Sequence, residues 1–222
     1  MITTNLLFRT LFISAIEYGT AFAIEVDGVQ YLVTARHLLD TSAKSLELKY
    51  YYNDTWQAVS VDVVGHGHGE IDISVLRARA KITAAEYDVV LSMAGTTLGQ
   101  DVYFLGFPYK MWGEVGPLMG GFPMPFAKKG TISSFQLGAL QVLHIDAINN
   151  EGFSGGPIFF TPPGRHASPQ VIGVVSKFRI EHEHIIDGDG RTTDMYVPYN
   201  TGFLVGYGIR HALDIINASA TV

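Results

Sequence analysis

Residues 20–34 constrain the fold more than any other stretch of this chain. Thr20 to Val26 and Val29 to Thr34 are largely apolar runs, and the two residues between them are Asp27 and Gly28. A two-residue Asp-Gly loop accepts the positive backbone angles that let two strands meet with matching twist, so the segment predicts an antiparallel hairpin. The same punctuation recurs downstream. Leu46 to Tyr52 and Trp56 to Val64 flank the turn residues Asn53-Asp54, and Ile71 to Leu76 follows. A second series comprises Asp101 to Gly106, Gly130 to Gln136, Leu140 to Ile145, Gly156 to Phe160, Val171 to Phe178 and Thr201 to Val205. Short strands between frequent turns predict an all-β protein in two units, residues 1–90 and 91–222. Ala84-Ala85-Glu86 reads as a short helix in the linker. Ile209 to Asn217 reads as a closing helix, because Ile209, Leu213 and Ile216 recur at helical spacing.

Composition supports that class and removes others. The 222 residues include 24 Gly and 9 Pro, and 47% are apolar against 16% charged, which favours a sizeable core over disorder. Fifteen Lys and Arg against 21 Asp and Glu give a net charge of −6, the wrong sign for a phosphate-binding surface, so no nucleic-acid partner is expected. The absence of cysteine excludes disulfides, thiolate zinc sites and a cysteine nucleophile, and fits a reducing, cytoplasmic setting. Leu6 to Ile13 is interrupted by Arg9, lacks a basic segment before it and a small-residue cleavage pattern after it, and reads as a first strand. It is also too short to span a bilayer, so no membrane association is expected.

Three segments carry chemistry. Asn150-Glu151-Gly152-Phe153-Ser154-Gly155-Gly156-Pro157 places a serine between glycines. A nucleophilic hydroxyl needs a tight loop of this kind, with backbone N–H groups aimed where the attacked carbonyl oxygen gains charge. Leu32 to His37 puts a histidine just past a strand end. Glu70 to Leu76 sets Asp72 among aliphatic residues, where a carboxylate requires a partner. An imidazole Nδ1–H is such a partner, and it leaves Nε2 as a general base for a serine. Each residue alone reads as structural. The three together, in the order His, Asp, Ser, read as a catalytic set.

The sequence resembles the trypsin-like serine peptidases of the chymotrypsin fold, in the style of cysteine-free bacterial and HtrA-type domains. Gly19-Thr20-Ala21-Phe22 with Tyr31 to His37 resembles the GTGF…VLTAAH block, and Asp72 to Leu76 resembles DIALL. Gly152 to Pro157 resembles GNSGGP or GDSGGP, and Gly173 to Ser176 resembles the following GIVS strand. The resemblance implies two six-stranded antiparallel β-barrels with a cleft between them and a C-terminal helix. It implies Ser154 as the acyl-forming nucleophile, His37 as base and then acid, and Asp72 as the orienting carboxylate. The N–H groups of Gly152 and Ser154 would form the oxyanion hole, and Ser176, Lys177 and Phe178 would pair with the substrate backbone. The implied substrate is a protein or peptide, hydrolysed without metal or organic cofactor. The rival reading is a latent or inactive peptide-binding module on the same fold.

Two departures from the family pattern matter. Phe153 stands where the trypsin branch has an aspartate that pairs with a new N-terminus, so activation by that route is not expected. Counting back from Ser154 places Ile148 at the base of the specificity pocket, with Phe178 on its wall and Gly202 on the far side; this set predicts a small or medium aliphatic residue at the cleaved position. The pairs His66/His68 and His182/His184 alternate on strand faces without a third ligand fixed by spacing, and Asp187-Gly188-Asp189-Gly190 reads as the turn at the tip of a long hairpin inserted from Arg179 to Thr193, so no metal site is expected. Phe107 to Lys129 has neither helical nor strand period and reads as an insertion that is a lid over the cleft, a surface for oligomer contact or a packed Ω-loop; its place between two strands of the second unit, near the site in the family, favours a substrate-side role.

Overall fold

The chain begins with a single helical turn, α1 (Thr4–Phe8), ahead of β1 (Thr10–Ser14). This corrects the expectation of an unbroken strand from Leu6 to Ile13. The turn forms because it buries Leu6, lets Thr10 Oγ1 donate to the Leu6 carbonyl at 2.9 Å, and brings the buried Arg9 guanidinium onto the Glu25 carboxylate. The structure is a computed structural model and describes residues 2–83, 89–162 and 168–220, so the helix expected at Ala84-Ala85-Glu86 lies outside the described residues.

β2 (Tyr18–Val26) and β3 (Val29–Thr34) form the expected hairpin, with Asp27 at φ 50° and Gly28 at φ 76°. β4 (Ser45–Tyr52), β5 (Thr55–His66) and β6 (Ser74–Ala78) follow, with Asn53 and Asp54 also at positive φ in their turn. The six strands close an antiparallel barrel in the order β1-β2-β3-β6-β5-β4. Ile71, Asp72 and Ile73 lie in the loop before β6, not within it.

The second unit contains β7 (Val90–Leu91), β8 (Asp101–Gly106), β9 (Phe126–Phe135), β10 (Val142–Asp146), β11 (Pro157–Phe160), β12 (Gln170–Ile186) and β13 (Thr192–Gly208). Their order is β11-β8-β9-β10-β13-β12-β7, and β11 also pairs with β12, which returns the sheet onto itself. The count is therefore seven strands against the expected six, because the short β7 adds in parallel to the start of β12. The closing helix, α2 (Arg210–Ser219), returns to the first barrel, where Ile215 packs over Gly65 of β5.

A shared core fixes the two units against each other. Phe22, Ile24, Val33 and Val75 of the first barrel pack in one buried cluster with Leu105, Phe159, Val174, Tyr207 and Ile216 of the second unit and helix. A second tie is aromatic. Phe12 of β1 stacks on Phe107 at a centroid distance of 5.1 Å and meets Trp56 at 4.9 Å and Trp112 at 5.9 Å. Residues 107–125 are thus held against the first barrel by burial of large rings. Lys128 and Lys129, expected in that insertion, belong to β9.

Candidate active site

His37 sits in a 3₁₀ turn (Arg36–Leu38) directly after β3, and that turn is what brings it to Asp72. The His37 main-chain N–H donates to Asp72 Oδ1 at 2.9 Å, and His37 Nδ1 lies 2.7 Å from Asp72 Oδ2. Asp72 accepts a third bond, from Ser176 Oγ at 2.6 Å. The neighbouring Arg36 secures the loop that carries Asp72, donating to the carbonyls of Gly67 at 2.6 Å and Gly69 at 2.7 Å. The Asp72 side chain is 14% exposed and that of His37 41%, so the pair has a protected end and an open end facing the cleft.

These contacts set the protonation balance. The hydrogen bond from the His37 ring to Asp72, and the Asp72 charge, raise the His37 pKa above 6.5, against opposition from burial and Lys177. Burial pushes the Asp72 carboxyl upward, but the bonds from His37 and Ser176 outweigh it and leave the carboxyl below its ordinary value. The pair favours an ionised carboxylate beside an imidazole of enhanced basicity.

Ser154 lies on the loop before β11. Its Oγ donates to the Ser176 carbonyl at 3.0 Å rather than to His37. The loop is shaped by close backbone approaches that only glycine permits. Gly155, at φ 84°, would place a Cβ 2.0 Å from the Thr20 carbonyl oxygen, and Gly152, at φ 97°, would place one 2.1 Å from that of Phe107. The Gly152 carbonyl is turned into the protein, where Thr20 Oγ1 donates to it at 2.7 Å and the Phe107 N–H at 3.3 Å. The Glu151 carbonyl is drawn aside by the Tyr109 N–H at 3.0 Å. Across a trans peptide the N–H points opposite the carbonyl, so the Gly152 N–H is turned away from that bond. Among the described residues, neither the Gly152 nor the Ser154 N–H donates a hydrogen bond.

One cleft of about 1230 Å³ collects these groups: His37, Asp72, Gly152, Ser154, Ser176, Lys177 and Phe178 all line it. Ile148 and Gly202 do not, which corrects their assignment to the specificity pocket. Neighbouring residues on extended chain face opposite ways. Asn149 takes the buried position at 1% exposure and Ile148 points outward at 61%. The Ile148 carbonyl accepts from Lys128 Nζ at 2.6 Å, and the half-buried Gly202 accepts through its carbonyl from the Ala147 N–H at 2.8 Å. The expected aliphatic preference loses two of the three residues on which it rested.

Several residues with a role in this arrangement escape a sequence reading. Thr20, Arg36 and Tyr109 act through main-chain carbonyls far away in sequence; the signals they had were only of place, Thr20 in the Gly19 to Phe22 block, Arg36 beside His37 and Tyr109 in the insertion. Of the insertion, Phe107, Tyr109 and Lys110 line the cleft. Among the described residues there is no group of three or more His, Asp or Glu able to hold a metal ion, and no helix long and apolar enough to cross a membrane.

Solved structures share the fold at low sequence identity. The protease Rv3671c of M. tuberculosis, in an inactive form, matches with a TM-score of 0.60 at 19% identity, over 96% of this chain and 89% of that one. AlgW, an HtrA-type protease variant solved with a tripeptide, matches with a TM-score of 0.56 at 18% identity, over 98% of this chain and 63% of that one. No curated protein matches in sequence. The family model for the trypsin-like peptidase domain matches residues 19–165, from β2 through the Ser154 loop and β11, and on that match the chain belongs to the trypsin-like peptidase family.

Proposed function

We propose that this protein is a serine endopeptidase acting on polypeptides through an acyl-enzyme. The observation that carries the reading is the joining of the Asp72–His37 pair, Ser154 and two unengaged amide N–H groups in one cleft. The peptide bound to the HtrA-type neighbour supports a polypeptide substrate. In the reaction, His37 Nε2 takes the Ser154 Oγ proton as the oxygen attacks the substrate carbonyl, and Asp72 stabilises the imidazolium so formed. The Gly152 and Ser154 N–H groups meet the developing oxyanion, each worth about 2.7–4 kcal/mol in this kind of chemistry. His37 then hands the proton to the leaving amine, and a water repeats the sequence on the ester. No step calls for a metal or an organic cofactor.

The Ser154–Ser176 hydrogen bond defines the resting state. A substrate strand laid along β12 offers its own N–H to the Ser176 carbonyl and thereby frees the Ser154 hydroxyl to turn to His37. The same bond is the observation that favours the second reading, a latent or inactive peptide-binding module. Treatment with a fluorophosphonate separates them. The expected outcome is one covalent adduct on native wild type, absent from Ser154→Ala and from heat-denatured protein. Folded wild type that binds peptide but takes no adduct would select the second reading.

A further inference from the structure

The hairpin formed by β12 and β13 runs far beyond what the cleft requires. Ser176, Lys177, Phe178 and Ile180 line the cleft, and β12 then continues to Ile186, eight residues past Phe178 and roughly 26 Å at the usual rise, with register shifts against β13 between Phe178 and Ile180 and between His184 and Ile186. One edge of this arm is paired with β13, from Ile180 opposite Asn200 to Ile186 opposite Thr192. The other edge has no strand beside it among the described residues, because β11, which occupies that edge, stops at Val174. The Ser176 carbonyl, hydrogen-bonded to Ser154 Oγ, shows that this open edge begins at the nucleophile.

A two-stranded ribbon in water is marginal by itself and is completed by a third strand. This one is also apolar where solvent should meet it: Ile180 is 50% exposed, Ile186 64%, Met195 60% and Tyr196 56%. Its two faces differ. Cross-strand partners share a face, so Ile180, His182 and His184 lie with Asn200, Pro198 and Tyr196, and the His184 and Tyr196 rings meet at 4.2 Å. The opposite face carries Glu181 and Glu183 beside Tyr199 and Val197. Glu181 is engaged by Arg179 at 2.5 Å, whereas Glu183 has no ion-pair partner among the described residues.

We propose that the open edge of β12 from Arg179 to Ile186 binds the substrate polypeptide upstream of the scissile bond, as an added antiparallel strand. The proposal rests on the peptidase reading. In that chemistry His37 protonates the leaving amine, so the C-terminal half of the substrate lies on the His37 side and the N-terminal half runs along Ser176 and outward. Side chains of an added strand alternate between the two faces. Apolar residues fit the Ile180–Tyr196 face, and Lys or Arg fit the Glu183 face. The site therefore selects unfolded or extended segments that alternate apolar and basic residues, with main-chain hydrogen bonds supplying affinity and the two faces supplying selectivity.

The test measures binding of fluorescein-labelled peptides to full-length Ser154→Ala by anisotropy. The probes are a dodecamer of alternating Lys and Val, its tetramer truncate, and a dodecamer of alternating Glu and Val. The expected result is binding of the Lys-Val dodecamer at least about tenfold tighter than either of the others. That advantage should vanish when residues 181–199 are replaced by Asn-Gly. Charge reversal by Glu181→Lys with Glu183→Lys, which touches no residue of the buried core, should transfer the preference to the Glu-Val dodecamer. Equal affinity for long and short peptides, an advantage that survives loss of the arm, or a preference unmoved by charge reversal overturns the proposal. So does a dimer in sedimentation velocity that arm removal dissolves, since a second copy would then occupy the edge. Length-dependent binding by a wild type that takes no fluorophosphonate overturns the peptidase reading and leaves the edge as a peptide-docking strand.

Discussion

The conformation of Gly152 offers the sharpest test of how the Ser154 loop is held. A methyl group at this position would lie 2.1 Å from the Phe107 carbonyl oxygen and 2.9 Å from its carbon, both main-chain atoms tied into the β8 turn. Relief requires the loop to retreat by more than about 1 Å to reach ordinary van der Waals separation. The backbone angle of 97° adds strain on the order of 1–3 kcal/mol for any side chain larger than hydrogen. The retreat moves the N–H from where the oxyanion forms, and loss of one such donor costs about 10²–10³ in rate. Gly152→Ala should therefore lower kcat/KM by that factor, slow fluorophosphonate labelling in parallel, and leave near-UV circular dichroism native, because Gly152 belongs to neither barrel core. Thr20→Val provides an independent approach by deleting the 2.7 Å bond that turns the Gly152 carbonyl inward without adding bulk. A folded Gly152→Ala protein labelled within about threefold of the wild-type rate would refute the reasoning.

Two further predictions concern the acid–base pair. Because Asp72 raises the His37 pKa, the acid limb of kcat/KM should lie above pH 6.5, and Asp72→Asn should shift it downward while reducing kcat by about 10⁴, the size of this change in the serine-protease template. The sign for stability is opposite to that for activity: the raised pKa stabilises the fold fully below pH 6.5 and is lost as pH rises through the folded value, so the melting temperature should decline across the window in which activity appears. A limb at or below 6.5 would remove His37 as the base. Ser176→Ala deletes the 2.6 Å bond to Asp72 and should lower kcat by about tenfold or more, the worth of a hydrogen bond to a charged group, with Ser176→Thr restoring most of it. An unchanged kcat would show that His37 alone orients the carboxylate.

Much of the fold and part of the site could be read from sequence because they are written in local chemistry. Turn residues and strand alternation marked most strands of both units, and the histidine, aspartate and serine each sat in a recognisable block. What escaped was decided by contacts across the chain. The arm of β12 and β13 was legible as a long hairpin through its Asp187-Gly188-Asp189-Gly190 tip, although Glu181-His182-Glu183-His184 has no apolar side and gives no sign of which edge stays open. Ile148 was misplaced because counting along a chain cannot say which of two neighbours faces inward. Asn149 takes the interior instead, bonded through its carbonyl to Asn200 Nδ2 at 2.6 Å. The roles of Thr20 and Tyr109 lie in which carbonyls they reach, 132 residues away in the case of Thr20, and no motif encodes that.

The residue before Ser154 separates two ways of ordering the loop that the proposed peptidase chemistry needs. An aspartate there needs a cation, and the loop orders only when one arrives. Phe153 needs only the core: it is fully buried, meets the Phe104 ring edge-on at 5.1 Å, and lies under Lys128 Nζ at 5.3 Å. Truncation to alanine should cost about 3–5 kcal/mol and loosen Gly152 with it. A hydrophobic anchor is not screened by ions, so labelling of wild type should proceed at similar rates in dilute and molar salt. High pH is a separate threat. Lys128 also donates to Ile148 O and to Asn150 Oδ1, and burial lowers its pKa from 10.5, so the charge that strengthens these contacts disappears before that of an ordinary lysine. An alkaline fall in labelling that Lys128→Met abolishes would place this anchor at Lys128. Collapse of labelling in molar salt, with the fold intact, would instead show that the loop is held by an ion pair, and the case for a loop ordered by Phe153 would fail.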